Sequence, residues 1–145
     1  MKAALIQFCI VYVFISSTKA AVIVLEFFIV GIGGIFGSIV RYSLGKYISE
    51  RSYADIPIGT LIINATGAIL LGIVSMIYKE GKLYLLLAEG FLGAYTTFST
   101  FMYEGFNLFQ ENEIKNAVFY IFGTLILGII GFIIGIRIVE IASLL

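Results

Sequence analysis

Histidine and tryptophan are absent from this chain of 145 residues, proline occurs once, and Cys9 is the only thiol. Those absences exclude the usual zinc sites, intrachain disulfides, Cys/His nucleophile pairs and imidazole proton relays. Charge is scarce as well: 12% of residues are charged, and nine basic side chains balance nine acidic ones. Such a balance gives neither a basic field for nucleic acid nor an acidic tail. What remains is apolar, with 61% hydrophobic residues and a mean hydropathy of +1.10, the composition of an integral membrane protein. A chain of this length holds four spans of roughly 20 residues with short loops, and has no room for a soluble catalytic domain. Amides, hydroxyls, carbonyls, aromatic edges and a few charges are left for function. They suit binding and passing ions rather than making bonds, so the chain does not read as an enzyme.

Residues 1–20 stand apart. Lys2 precedes an apolar run from Ala3 to Ile15, followed by Ser16, Ser17, Thr18, Lys19 and Ala20. The pattern is that of a signal-like segment or a short interfacial helix, too short to span comfortably. It reads as a dispensable extension rather than a fifth span, and whether it is retained, cleaved or the product of an upstream start codon stays open. Residues 21–145 form the four-helix domain, with spans expected at about 21–42, 58–78, 83–109 and 116–136. In the first, Gly31, Gly34 and Ser38 predict a thin stripe for close helix approach, and Arg41 ends it as a snorkelling side chain. Pro57 opens the second span, where its missing N–H costs nothing. Asn64, about one and a half turns inside, is either packing glue or a source of two N–H donors for an anion, and both readings stay open. The fourth span carries Tyr120 and Thr124 one turn apart, Gly128 a turn further on, and a GxxxG pair at Gly131 and Gly135.

The third span is the informative one. From Gly90 to Phe101 it reads Gly-Phe-Leu-Gly-Ala-Tyr-Thr-Thr-Phe-Ser-Thr-Phe, placing two glycines and the hydroxyls of Thr96, Thr97, Ser99 and Thr100 inside an apolar run. A helix weakened there in hydrocarbon predicts a break enclosed by protein, and broken membrane helices present carbonyls that bind cations. Phe98 and Phe101, three residues apart, share one face of a helix restarting after the break. If four spans cross in turn, Lys19, Lys79, Lys82 and Arg137 fall on one side and Arg41, Lys46, Arg51 and Lys115 on the other. Equal charge gives no preferred orientation, which predicts insertion both ways and an antiparallel homodimer.

Three segments, Gly33–Tyr42 (GGIFGSIVRY), Gly59–Gly67 (GTLIINATG) and Gly90–Phe101, together resemble the small bacterial fluoride channels of the CrcB or Fluc family. The resemblance runs from about Val24 to the C-terminus and leaves residues 1–20 uncovered. It implies an all-α, dual-topology homodimer in the cell (plasma) membrane that exports fluoride passively and excludes chloride. It further implies a structural sodium ion at the dimer centre, held by backbone carbonyls of Gly93 and Thr96 from each subunit. Phe98 and Phe101 match the family's phenylalanine box, whose ring edges face the anion. Asn64, Tyr120 and Thr124 would continue the polar path, and Arg41 would stand near its entrance. Gly128 departs from relatives that carry a further hydroxyl, and Ser99 and Thr100 are the candidates to compensate.

Two other classes compete. A four-helix antiparallel-dimer exporter of organic cations needs a mid-membrane carboxylate and aromatic walls. Glu26 and Glu89 lie near span ends, and tryptophan is missing. A non-transporting assembly protein would use the glycine stripes alone.

Overall fold

The computed structural model describes residues 2–52 and 54–144, with side chains described from Lys19 onward. It is all-helical, with no strand among the described residues. Helix α1 (Lys2–Ser49) runs through the N-terminal segment into the first apolar stretch with no backbone interruption. The side chains of residues 2–18 lie outside the described residues, and with them the signal-like or interfacial character expected there. After a polar turn, α2 (Ile58–Ile77) starts directly behind Pro57. Gly81, at φ +100°, turns the chain into α3, as only a residue without Cβ does cheaply. We use α3 for three consecutive helical pieces: Lys82–Tyr84, the π-helical Leu85–Leu92, and Gly93–Tyr95. Thr96 and Thr97 are extended, at φ/ψ of −77°/157° and −145°/117°. Helix α4 (Phe98–Gln110) follows, and α5 (Ile114–Ala142) completes the chain.

Among the described residues, three helical stretches are long and apolar enough to cross a membrane: Lys19–Ser49, Ile58–Ile77 and Ile114–Ala142. Their packing explains the glycine content. Helix α2 lies against α5 through Gly72, Gly131 and Gly135: a Cβ on Gly72 would overlap the Phe132 carbonyl, and one on Gly135 the Ile69 carbonyl. Helix α1 lies against α3 in the same manner, with Gly33 under the Leu86 carbonyl, Gly37 under that of Phe91, and Gly90 under that of Val30. Close backbone approach replaces the hydrophobic drive that lipid removes. The expected α1 stripe holds in part. Gly34 does meet α3, a built Cβ there standing 3.8 Å from Ala94 and 3.9 Å from the Gly90 carbonyl. Gly31 has nothing within 4 Å of a built Cβ, and the closest contact is made by Gly33 and Gly37, whose i, i+4 spacing keeps both on the face that meets α3.

Among the described residues, buried apolar side chains are few, and apart from Ala88 they form two clusters, one of Phe101, Leu108, Ala117 and Tyr120, the other of Ile63, Leu92 and Tyr95. Large side chains such as Phe27, Phe28 and Phe36 on α1 and Phe119, Phe122 and Ile129 on α5 instead point outward. Helices that meet through small residues and turn large apolar side chains outward are the arrangement that lipid as solvent favours.

Candidate functional site

The site is built where α3 ends. Tyr95 is buried, its ring stacked at 5.9 Å on Phe91 and its hydroxyl 2.8 Å from that of Thr66 on α2. The next two residues leave the helix, and their polar groups are met by side chains. Asn64 on α2 grips Thr97 with both ends of its carboxamide: the Thr97 N–H donates to Oδ1 at 2.9 Å, and Nδ2 donates to the Thr97 carbonyl at 3.0 Å. The pair of bonds copies what a neighbouring strand would offer, and satisfies a backbone that has left its helix. Thr97 then caps α4, its Oγ1 accepting from the Thr100 N–H at 3.2 Å and donating to Thr100 Oγ1 at 2.9 Å. Thr96 turns back on α3, its N–H and its hydroxyl both donating to the Leu92 carbonyl, at 3.0 and 2.9 Å.

Two cavities flank this break, and Thr97 lines both. The first, about 420 Å³, has Asn64, Gly93, Thr96, Phe98, Phe101, Thr124 and Gly128 in its wall. Phe98 and Phe101 approach at 5.9 Å between ring centres, tilted by 52°. They differ sharply in exposure: Phe101 is 4% exposed and Phe98 is 73% exposed. Thr124 is buried and donates its proton to the Tyr120 carbonyl at 2.7 Å, so in this rotamer it presents lone pairs rather than a donor. The second cavity, about 350 Å³, gathers Arg41, Lys46, Thr60, Thr100 and Glu104. It is the polar side of the break, as the first is the apolar side.

Of the residues singled out from sequence, Asn64, Gly93, Thr96, Phe98, Phe101 and Thr124 meet at the first cavity, and Arg41 and Thr100 meet at the second. Tyr120 lines neither. Fully buried under Phe101 at 5.5 Å between ring centres, it donates its hydroxyl proton to Glu104 Oε2 at 2.8 Å. Ser99 is exposed, with its hydroxyl 3.4 Å from that of Thr97. Glu104 is a site residue that the sequence did not single out. Its spacing is the available signal, since it follows Phe101 by three residues and so shares the face of α4 that turns inward. Thr97, read as one hydroxyl among four, turns out to be the residue on which both cavities and both helix ends converge.

Comparison with known proteins gives a consistent outcome. Residues 28–136 match the family described as CrcB-like protein, Camphor Resistance (CrcB). A protein of Clostridium acetobutylicum named Fluoride-specific ion channel FluC 2 is 55% identical over 111 residues, 77% of this chain and 95% of that protein. One of Thermus thermophilus, named Fluoride-specific ion channel FluC, is 39% identical over 116 residues, covering 77% of this chain and 91% of its own length. A Bacillus cereus protein named Fluoride-specific ion channel FluC 2 is 39% identical over 106 residues, 73% of this chain and 90% of the relative.

Proposed function

Because the chain belongs to the CrcB family, we propose that it is a fluoride-specific ion channel of a cell membrane, passing the anion down its electrochemical gradient and lowering its concentration in the cytoplasm. The observation that carries this reading is the first cavity: a helix interruption, two phenylalanine rings and a set of amide and hydroxyl groups share one wall in an otherwise apolar chain. Fluoride holds water tightly, and a pore must replace that shell with several modest partners so that the ion enters without being trapped. The second N–H of Asn64, the positive ring edges of Phe98 and Phe101, and the hydroxyls of Thr96 and Thr124 after rotation are such partners. Arg41 and Thr100 stand at the polar mouth, where a fixed positive charge attracts an anion, while Ser99 lines neither cavity and touches the path only through its hydroxyl near Thr97. Tyr120 holds Glu104 beneath it.

In this reading α3 and α4 together make the fourth crossing, interrupted at Thr96 and Thr97, and two chains pair antiparallel. Several features support the pairing. Phe98 is largely exposed, Gly128 has open space where a Cβ would stand, and both border a cavity open at the protein surface. A second copy laid there would turn each open wall into an enclosed path. The backbone carbonyls of Gly93 and Thr96 have the chemistry to hold a sodium ion at that junction: hard oxygen donors with no hydrogen-bond donor among the described residues. When bound, the ion supplies a fixed positive charge that offsets the cost of bringing an anion into low dielectric. The exporter reading finds no such support, because neither Glu26 nor Glu89 lines either cavity.

Purified protein in lipid vesicles tests the proposal. Fluoride is expected to leave loaded vesicles rapidly while chloride stays. Equal release of both ions, or of neither, would refute it.

A further inference from the structure

A carbonyl can hold a cation only if no N–H already occupies it. In a continuous helix each carbonyl of residue i receives the N–H of residue i+4. Four successive carbonyls, those of Gly93, Ala94, Tyr95 and Thr96, receive none among the described residues. The donors due to the middle two belong to Phe98 and Ser99, the opening amides of a new helix, and are lost simply because the chain has turned. The outer two are different. Gly93 is due the N–H of Thr97, and that N–H is held by Asn64 Oδ1 at 2.9 Å. Thr96 is due the N–H of Thr100, and that N–H is held by Thr97 Oγ1 at 3.2 Å.

We propose that Asn64 and Thr97 are the positioning residues of the cation site: each diverts one amide N–H from its helical acceptor, and so frees the Gly93 and Thr96 carbonyls respectively. This inference rests on the sodium reading and deepens it. The two side chains also set the limits of the open segment. Ahead of it, the Leu92 carbonyl is already filled by the Thr96 amide and hydroxyl. Behind it, the Thr97 carbonyl is filled by Asn64 Nδ2. Asn64 has a second effect through the peptide plane. The Thr97 N–H and the Thr96 carbonyl belong to one trans peptide unit and point in opposite directions, so fixing the first on Asn64 aims the second away from α2. An asparagine in the second span thereby orients a backbone oxygen it never touches.

The test uses the full-length protein and radioactive sodium ion in equilibrium binding. Asn64→Leu and Thr97→Val remove the acceptors while keeping the bulk, and each should weaken sodium binding at least about tenfold, the scale of one lost charge-assisted ligand. Asn64→Asp and Thr97→Ser keep an acceptor oxygen in place and should stay within about threefold of wild type. Wild-type-like binding in the Leu and Val variants overturns this inference and leaves the sodium reading intact. A wild-type protein that binds no sodium overturns both. A second measurement needs no variant: in sodium-free wild-type protein the Thr97 and Thr100 amides should exchange hydrogen slowly, although they flank a helix break. Exchange as fast as that of the loop amides near Arg51 would overturn the proposal whether or not the variants fold.

Discussion

The seam between α2 and α5 and the break between α3 and α4 are made from the same materials, glycine and small hydroxyl residues in an apolar chain, and they do opposite things. At the seam, Gly72 and Gly135 bring backbone against backbone, and both helices continue undisturbed. At the break, Gly93 has 3.7 Å to the nearest atom from a built Cβ and Gly128 has open space, so neither glycine is there to let a neighbour in. A small residue in a membrane helix therefore serves packing or exposure of backbone according to what lies opposite it, which its own identity does not reveal.

The largest effect is expected from a side chain added at the seam. Gly135→Val would drive a branched side chain into the Ile69 carbonyl with no flexible atom to yield, and should cost about 3 kcal/mol or more, read as a lower melting temperature or loss of the folded protein. A variant that melts like wild type would mean the seam is looser than described.

Next in size comes the contrast within the phenylalanine pair. Phe101→Ala empties a buried site against Tyr120 and should destabilise by about 3 kcal/mol. Phe98→Ala removes a ring that is mostly exposed in the single chain and should leave the fold of the protomer nearly unchanged while fluoride efflux falls at least about tenfold. Equal destabilisation by the two would collapse the distinction between a packing ring and a path-lining ring.

A smaller effect is expected at the polar contact beneath them. Tyr120→Phe keeps the ring and deletes the proton donated to Glu104, for a loss of about 1–2 kcal/mol. A double-mutant cycle with Glu104→Gln, read by thermal melts, should show coupling between the two positions, and strict additivity would argue against the bond. The smallest change belongs to Gly128→Ala. With nothing within 4 Å of the added methyl in its own chain and an open path beside it in the proposed pair, stability should hold or rise by up to about 1 kcal/mol through helix propensity. A clear loss in melting temperature would show the second copy packed against that glycine rather than leaving a path there.

Much of the protein was legible in the chain itself. Apolar composition with balanced charge implies an all-helical membrane protein, and three segments in order and spacing suffice to identify the family. Sequence also drew attention to the residues that meet at the first cavity, because hydroxyls and an amide inside apolar runs demand partners. It could not name those partners. Asn64 was left between glue and anion donor, and the two bonds to Thr97 give its carboxamide a structural task while leaving one N–H over. The α1 stripe was read only in part for a related cause. Four glycines within seven residues offer more than one helical face, and only the position of α3 sets Gly33 and Gly37 beside the expected Gly34 and leaves Gly31 out. Tyr120 and Glu104 are sixteen residues apart, and nothing local joins them.

By itself, then, the sequence determined where the chain is apolar, where it is polar against its surroundings, and where a helix would be hard to continue. These are properties of short stretches, set by side-chain solvation and backbone propensity within a turn or two. Tertiary structure decided which glycines touch, which amide takes which proton, and that Thr97 stands between two cavities. Those outcomes depend on elements distant in sequence meeting at hydrogen-bond range, and a bond of 3 Å is settled only when both partners have been placed.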